Sequence, residues 1–297
     1  MRSRKQPARW QADLALAAVA LIWGSTFVVV KRALADISTG YFLTLRFTLA
    51  ALCMLLIFSR AFARAGRPSV IRGLRGGAAA GVCLWLGYVL QTVGLKYTSA
   101  GNSGFLTGLY IVLVPLISAV FYLRRPQSRE LAGIALASAG MILLALPSFD
   151  RAPAVNRGDL LTIGCAVAFA FHLLVLGYYS KRELVEAVAL GQIGCSAIFS
   201  SACLLFEPPR AAWNRSVIFA IILTSLFATA LAFGLQTWGQ KYTTPTRTAL
   251  IFALEPVFAL GTAVLVGRET LTAARLGGGA LILTAILAVE WKPAVKA

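Results

Sequence analysis

LQTVGLKYTS, residues 90–99, returns as LQTWGQKYTT at residues 235–244. Seven of the ten letters match, among them Gln, Thr, Gly, Lys and Tyr, which a generic apolar run would not reproduce. The offset of 145 is close to half of the 297-residue chain. Held at that offset, LAGIALASAG at 131–140 lies on LGGGALILTA at 276–285, with Leu131/Leu276, Gly133/Gly278, Ala135/Ala280 and Leu136/Leu281 identical. The chain therefore reads as two copies of one unit, 1–148 and 149–297.

Composition says what the unit is made of. Hydrophobic residues make up 59% and charged residues 13%, and mean hydropathy is +0.78. An ordinary soluble domain is about a quarter charged, and a soluble core of this size would not hide so much apolar surface. Windows of about 19 residues divide the chain into roughly ten apolar stretches, each able to cross a hydrocarbon layer about 30 Å thick as a helix. They fall near 13–33, 41–59, 73–95, 104–123, 130–146, 159–180, 187–206, 217–239, 246–266 and 272–291. These runs are rich in Ala, Leu and Gly and do not alternate apolar with polar, which argues for helices over a barrel. The expectation is an all-α integral membrane protein of ten transmembrane helices. Five spans per half is an odd number, so the second half sits upside down relative to the first. Inverted repeats of this kind mark secondary transporters, with a substrate site near the midplane where the halves meet.

Charge and special residues narrow the class. The net charge of +17 raises the possibility of a nucleic-acid partner, but the basic residues are scattered between spans rather than gathered on one face, so no such partner is expected. Counted by loop, about twelve Lys and Arg of the first half, including Arg2, Arg4, Lys5, Arg60, Arg64, Arg67 and Arg72, lie on one side. About three, Lys31, Arg32 and Lys96, lie on the other. That places both termini in the cytoplasm; the second half is nearly even and adds nothing. The N-terminal MRSRKQPAR precedes a long apolar run without a convincing cleavage site, and reads as the start of the first span. The five cysteines fall inside spans without ligand spacing and read as unbridged packing residues. GxxxxGK[ST], HExxH and GxSxG are absent from the sequence, and one histidine makes no metal cluster, so neither an ATP-driven pump, an enzyme nor a cofactor-dependent protein is expected. A channel would need a charged or carbonyl-lined filter, and none is visible.

ALIWGSTFVVVK at 20–31, LRFTLAAL at 45–52, GLKYTSAGNSGFL at 94–106 and ALEPVFA at 253–259 followed by GRETLT at 267–272 resemble, in order and over essentially the whole chain, the drug/metabolite transporter superfamily, and within it the EamA-type exporters. The resemblance implies a ten-helix carrier of the bacterial inner membrane that exports amino acids or related metabolites. A drug or nucleotide-sugar carrier of the same fold is the alternative. Phe169 and Phe171 stand where the family often carries Trp.

Few polar groups lie deep in the spans, and each is costly there, so each is a site candidate. His172, the single histidine, is placed to bond a substrate carboxylate or to titrate; the alternative is a ring satisfied by a neighbouring backbone carbonyl. Glu255, just before Pro256, is placed for a substrate ammonium or a proton, or to satisfy backbone donors freed by the proline. Gln91 and Gln236 lie at matching heights in the two halves and either line a shared cavity or act as packing glue worth about 0.6 kcal/mol each. Trp23, Tyr88, Tyr110 and Trp238 are candidates for an aromatic wall. Arg46 reads as snorkelling to a headgroup. Pro115 and Pro256 are expected kinks, and Gly104 and Gly108, with Gly73, Gly77 and Gly81, make small faces for close packing first and gating second. The cavity is expected between spans one, three, four, six, eight and nine, with spans five and ten peripheral or forming a homodimer. Within the repeated phrase itself, Lys96 and Lys241 complement helix C-termini, and Thr244 with Pro245 signals a helix start. The partners implied are a small-molecule substrate and membrane lipid.

Overall fold

A computed structural model describes residues 9–98, 100–121, 127–149, 156–265 and 271–290. Among these, regular structure is helical: α1 (Arg9–Ala33), α2 (Thr39–Ala65), α3 (Arg67–Gly94), α4 (Ala100–Thr107), α5 (Tyr110–Phe121) and α6 (Ser128–Phe149) in the first half. The second half holds α7 (Arg157–Tyr179), α8 (Val185–Cys203), α9 (Arg215–Ser225), α10 (Ala232–Tyr242), α11 (Pro245–Phe252), α12 (Leu254–Leu265) and α13 (Ala273–Glu290). Eight helical spans are long and apolar enough to cross a membrane, counting α4–α5, α9–α10 and α11–α12 as one each. The helices α6 and α13 complete the ten and pack on each other, Gly140 and Gly278 each lying against the other's backbone carbonyl. Side chains such as Leu55, Leu56, Ile57, Phe121 and Leu265 stand exposed around the outside, the arrangement of a protein whose surroundings are lipid.

Helix ends follow local chemistry. Asn156 caps α7 by accepting from Gly158 N at 2.7 Å and Asp159 N at 3.1 Å, while the Asp159 carboxylate accepts from Asn156 N at 3.1 Å. Asp159 also accepts from the Thr98 hydroxyl at 2.6 Å, tying this start to the first copy of the repeated phrase. Thr244 caps α11 through Arg247 N at 3.2 Å, with Pro245 at the first helical position. Of the corresponding signals in the first copy, Ser99 and the Asn102 side chain lie outside the described residues. The helices α2 and α3 run past their apolar segments into arginine-rich ends, because Arg sustains a helix and only Gly66, at φ 78°, breaks it.

The two halves interlock. The close pair α3 and α7 is matched by α1 and α10, the pair α1 and α12 by α7 and α5, while α2 against α8 and α6 against α13 map onto themselves. Exchanging halves therefore returns the same packing scheme, as inverted repeats require. The GxxxG face of α3 lies directly on α8: a side chain at Gly73 would strike Ala187, and one at Gly81 would sit 2.6 Å from the Gln192 carbonyl. Packing, as expected, is what these glycines serve. Three spans are interrupted. The break between α4 and α5 at Gly108–Leu109 and the break at Ala253 lie at the repeat offset. Pro256 has no N–H for the Phe252 carbonyl and its ring crowds that residue, which ends α11 there. The third interruption is a π-helical segment, Leu226–Leu231, inside span eight.

Candidate substrate cavity

Two large hydrophobic clusters build the interior, one centred on α1, α5, α7 and α11 and the other on α2, α3, α8 and α9, with a small third around Ala80, Leu176 and Val188. Trp23 and Phe169 pack against both. At this junction lies a cavity of about 740 Å³. Its lining reaches from Gln236 and Leu173 at mid-span to Val30 and Leu95 at the last turns of α1 and α3, so it extends toward the face opposite the start of α1. On the side where α1 begins, the bundle is shut. Arg247 donates to both oxygens of Asp13, at 2.9 and 2.6 Å, with Arg247 buried. Above this pair Gly239 abuts Leu16, and Gln240 donates to the Leu173 carbonyl at 3.1 Å.

Of the residues singled out in the sequence, Trp23, Tyr88, Gln91, Tyr110, His172, Gln236 and Glu255 all line this cavity. Gln91 donates to the Thr107 hydroxyl at 3.1 Å across to the fourth span. Gln236 is 1% exposed, and its Oε1 has no hydrogen-bond partner among the described residues. Glu255 stands between this cavity and a second one of about 930 Å³, lined by Gly104, Gly108 and Pro256 among others. No hydrogen bond or ion pair reaches its carboxylate among the described residues. Its carbonyl lies directly on Gly24, where a Cβ would stand 2.5 Å away. Pro115 is buried inside α5 and lines neither cavity.

Two expectations need correction. Trp238 is not part of the wall: its ring packs on Tyr242 at 5.4 Å, because it lies two residues from Gln236 and about 200° round the helix. Arg46 does not snorkel. It is 4% exposed and lines the cavity, adding span two to the spans expected there. Its Nε donates to the Thr229 hydroxyl at 2.7 Å, and its terminal nitrogen to the Tyr88 hydroxyl at 3.1 Å and the Ala228 carbonyl at 3.2 Å. The guanidinium sits 4.7 Å from the centre of the Tyr88 ring, a cation–π contact strengthened by burial. The Ala228 carbonyl and the Thr229 hydroxyl both belong to the π segment, where the widened turn loosens carbonyls from the helical ladder, while Tyr88 reaches in from α3. Ala228 also accepts from Trp23 Nε1 at 2.8 Å, which fixes that indole in the wall beside Phe233 and Phe252, each 5.1 Å away.

Sequence reasoning also missed Gln192. It is fully buried on α8, holds the His172 ring at 2.8 Å and donates to the Thr237 hydroxyl at 2.9 Å. A glutamine in the middle of an Ala/Gly-rich span was the available signal.

Two inverted five-helix halves closing on a midplane cavity that reaches one face define a multi-pass membrane carrier. The chain belongs to the EamA-like transporter family, which matches it twice, over residues 10–146 and 156–291. It is 38% identical over 284 residues to an uncharacterized transporter of Archaeoglobus fulgidus, covering 95% of this chain and 86% of that protein. It is 26% identical over 305 residues to a probable amino-acid metabolite efflux pump of Escherichia coli, covering 94% and 95% of the two. A solved structure superposes with a TM-score of 0.77 at 20% identity, over 95% of this chain and 98% of that one, a likeness of fold.

Proposed function

We propose that this transporter exports neutral or aromatic amino acids, or close metabolites of them, from the cytoplasm across the inner membrane by alternating access. The observation that carries this is the chemistry of one cavity. Arg46 supplies a fixed cation, Glu255 a carboxyl group without a partner among the described residues, and Trp23, Tyr88, Tyr110, Phe169, Phe233 and Phe252 supply aromatic wall between them. A zwitterion with an apolar side chain matches that set: its carboxylate meets the guanidinium, its ammonium an acceptor, its side chain the rings. The likeness to the E. coli protein named as a probable amino-acid metabolite efflux pump points the same way.

In this reading the Asp13–Arg247 pair closes the cytoplasmic side and the cavity faces outward. Rocking of the halves, with bending at the breaks near Gly108 and Pro256, exposes the same cavity to the other side. Uptake of labelled amino acids into proteoliposomes tests it. Saturable movement of leucine, phenylalanine or tryptophan, competed by one another, is the expected result. If no amino acid moves while a lipophilic cation does, the substrate class is wrong.

A further inference from the structure

The hydrogen-bond chain behind His172 has a direction, and an atom with no freedom sets it. The Phe233 carbonyl can only accept, and Thr237 Oγ1 lies 2.6 Å from it, so the Thr237 hydroxyl hydrogen is committed there. Toward Gln192, Thr237 is then an acceptor, and the group 2.9 Å away must be the amide NH2. That turns Gln192 Oε1 to His172 Nε2, 2.8 Å away. An amide oxygen accepts only, so Nε2 carries the ring proton. Gln192 and Thr237 are both fully buried, out of reach of bulk water. The ring's hydrogen-bond partner is a neutral amide, and a buried ring so placed is neutral.

We infer that Gln192 and Thr237 are positioning residues that lock His172 as the Nε2–H tautomer, so that the cavity meets Nδ1 as a hydrogen-bond acceptor and the site selects ligands carrying an N–H donor, an ammonium above all. Nδ1 makes no bond among the described residues, and the ring lines the cavity. The expectation that His172 bonds a substrate carboxylate is thereby reversed. With Glu255, His172 forms the accepting side of the cavity, and Arg46 forms the donating side. A zwitterion is then held in one orientation, with its nitrogen toward α7 and α12. The identity of the donor rests on the amino-acid reading; the tautomer does not.

The chain has one histidine, so 15N-histidine labelling of the full-length protein, purified without a histidine tag and placed in lipid nanodiscs, reports this ring alone. The expected spectrum has a protonated Nε2 and an unprotonated Nδ1. Thr237→Val, close in shape, removes the anchoring hydroxyl and is expected to mix the tautomers, as is Gln192→Leu. In transport, Thr237→Val is expected to raise KM several-fold with a smaller change in kcat. An Nδ1–H ring or an imidazolium in the wild type, or a spectrum unchanged in both variants, overturns the inference. Adding phenylalanine is expected to shift Nδ1, and 3-phenylpropionate, which has the same ring and carboxylate but no N–H, to leave it in place. If a lipophilic amine shifts Nδ1 and no amino acid does, the acceptor role stands and the amino-acid reading falls. If neither shifts it, the acceptor role falls.

Discussion

Replacing Asp13 by Asn tests how much one contact holds the closed side shut. Arg247 donates twice to Asp13, at 2.6 and 2.9 Å, a bidentate geometry that is among the stronger ionic contacts. Unit charges about 4 Å apart attract by about 4 kcal/mol at an effective dielectric of about 20, and desolvation of both ions offsets much of that. Removing one partner of a fully buried pair costs about 3–5 kcal/mol. The Asp13 side chain keeps 16% exposure against 8% for Arg247, so screening lowers the expectation to about 2–3 kcal/mol. For a chain of 297 residues, with an unfolding entropy of about 2.1 cal/mol/K per residue, that is a drop in Tm of about 3–5 °C. The assay is thermal unfolding in nanodiscs of the wild type, Asp13→Asn, Arg247→Gln and the double variant. The double variant should cost clearly less than the two singles summed, leaving a coupling of about 2 kcal/mol, and the exchange Asp13→Arg with Arg247→Asp should recover part of the loss. Additive single effects, with coupling under about 0.5 kcal/mol, would refute the reasoning and reduce the pair to an incidental surface contact.

Three further outcomes follow from the geometry. Gly24→Val should lower Tm and impair transport together, because its Cβ would meet the Glu255 carbonyl at 2.5 Å and Ala259 N at 2.9 Å, both backbone atoms that cannot swing aside; overpacking of this kind costs about 1–3 kcal/mol, and an unchanged melting curve would sink it. Arg46→Lys keeps the charge but loses the fork that joins Thr229, Tyr88 and Ala228, so KM should rise about tenfold or more, the equivalent of a charged hydrogen bond worth about 1.5–3 kcal/mol; near-wild-type kinetics would show that the guanidinium is not the anchor. Trp238→Phe should transport as the wild type does, since that ring faces Tyr242, whereas Trp23→Phe, which loses the bond to Ala228, should not; the two measured side by side at equal expression decide it.

Which parts of this were legible beforehand has a physical pattern. The spans were, because lipid offers no hydrogen bonds and forces long apolar helices into plain view. The duplication was, because a ten-letter phrase survived in both halves, and its odd span count made inversion a matter of parity. Gln91 and Gln236 were legible through the same symmetry. Arg46 was not: a lone arginine a few residues inside a span looks alike whether it faces lipid or a cavity, and only the packing of α2 against span eight decides. Two of the three acceptors that hold it come from a π segment about 180 residues away in sequence, and no local pattern announces a single widened turn. Gln236 and Trp238 were equally attractive as letters; the rotation of α10 separated them.

The sequence by itself determined that this chain is a duplicated bundle of membrane helices with a handful of polar groups at its centre, since burial in lipid acts on each span separately and can be read span by span. The tertiary structure alone decided which of those groups meet. The Thr98–Asp159 and Asp13–Arg247 contacts, the direction of the Thr237–Gln192–His172 chain and the cradle around Arg46 each join residues from different spans or the turns that end them. Such contacts depend on the rotation and depth of one helix against another, which close packing of small residues sets and a single span does not encode.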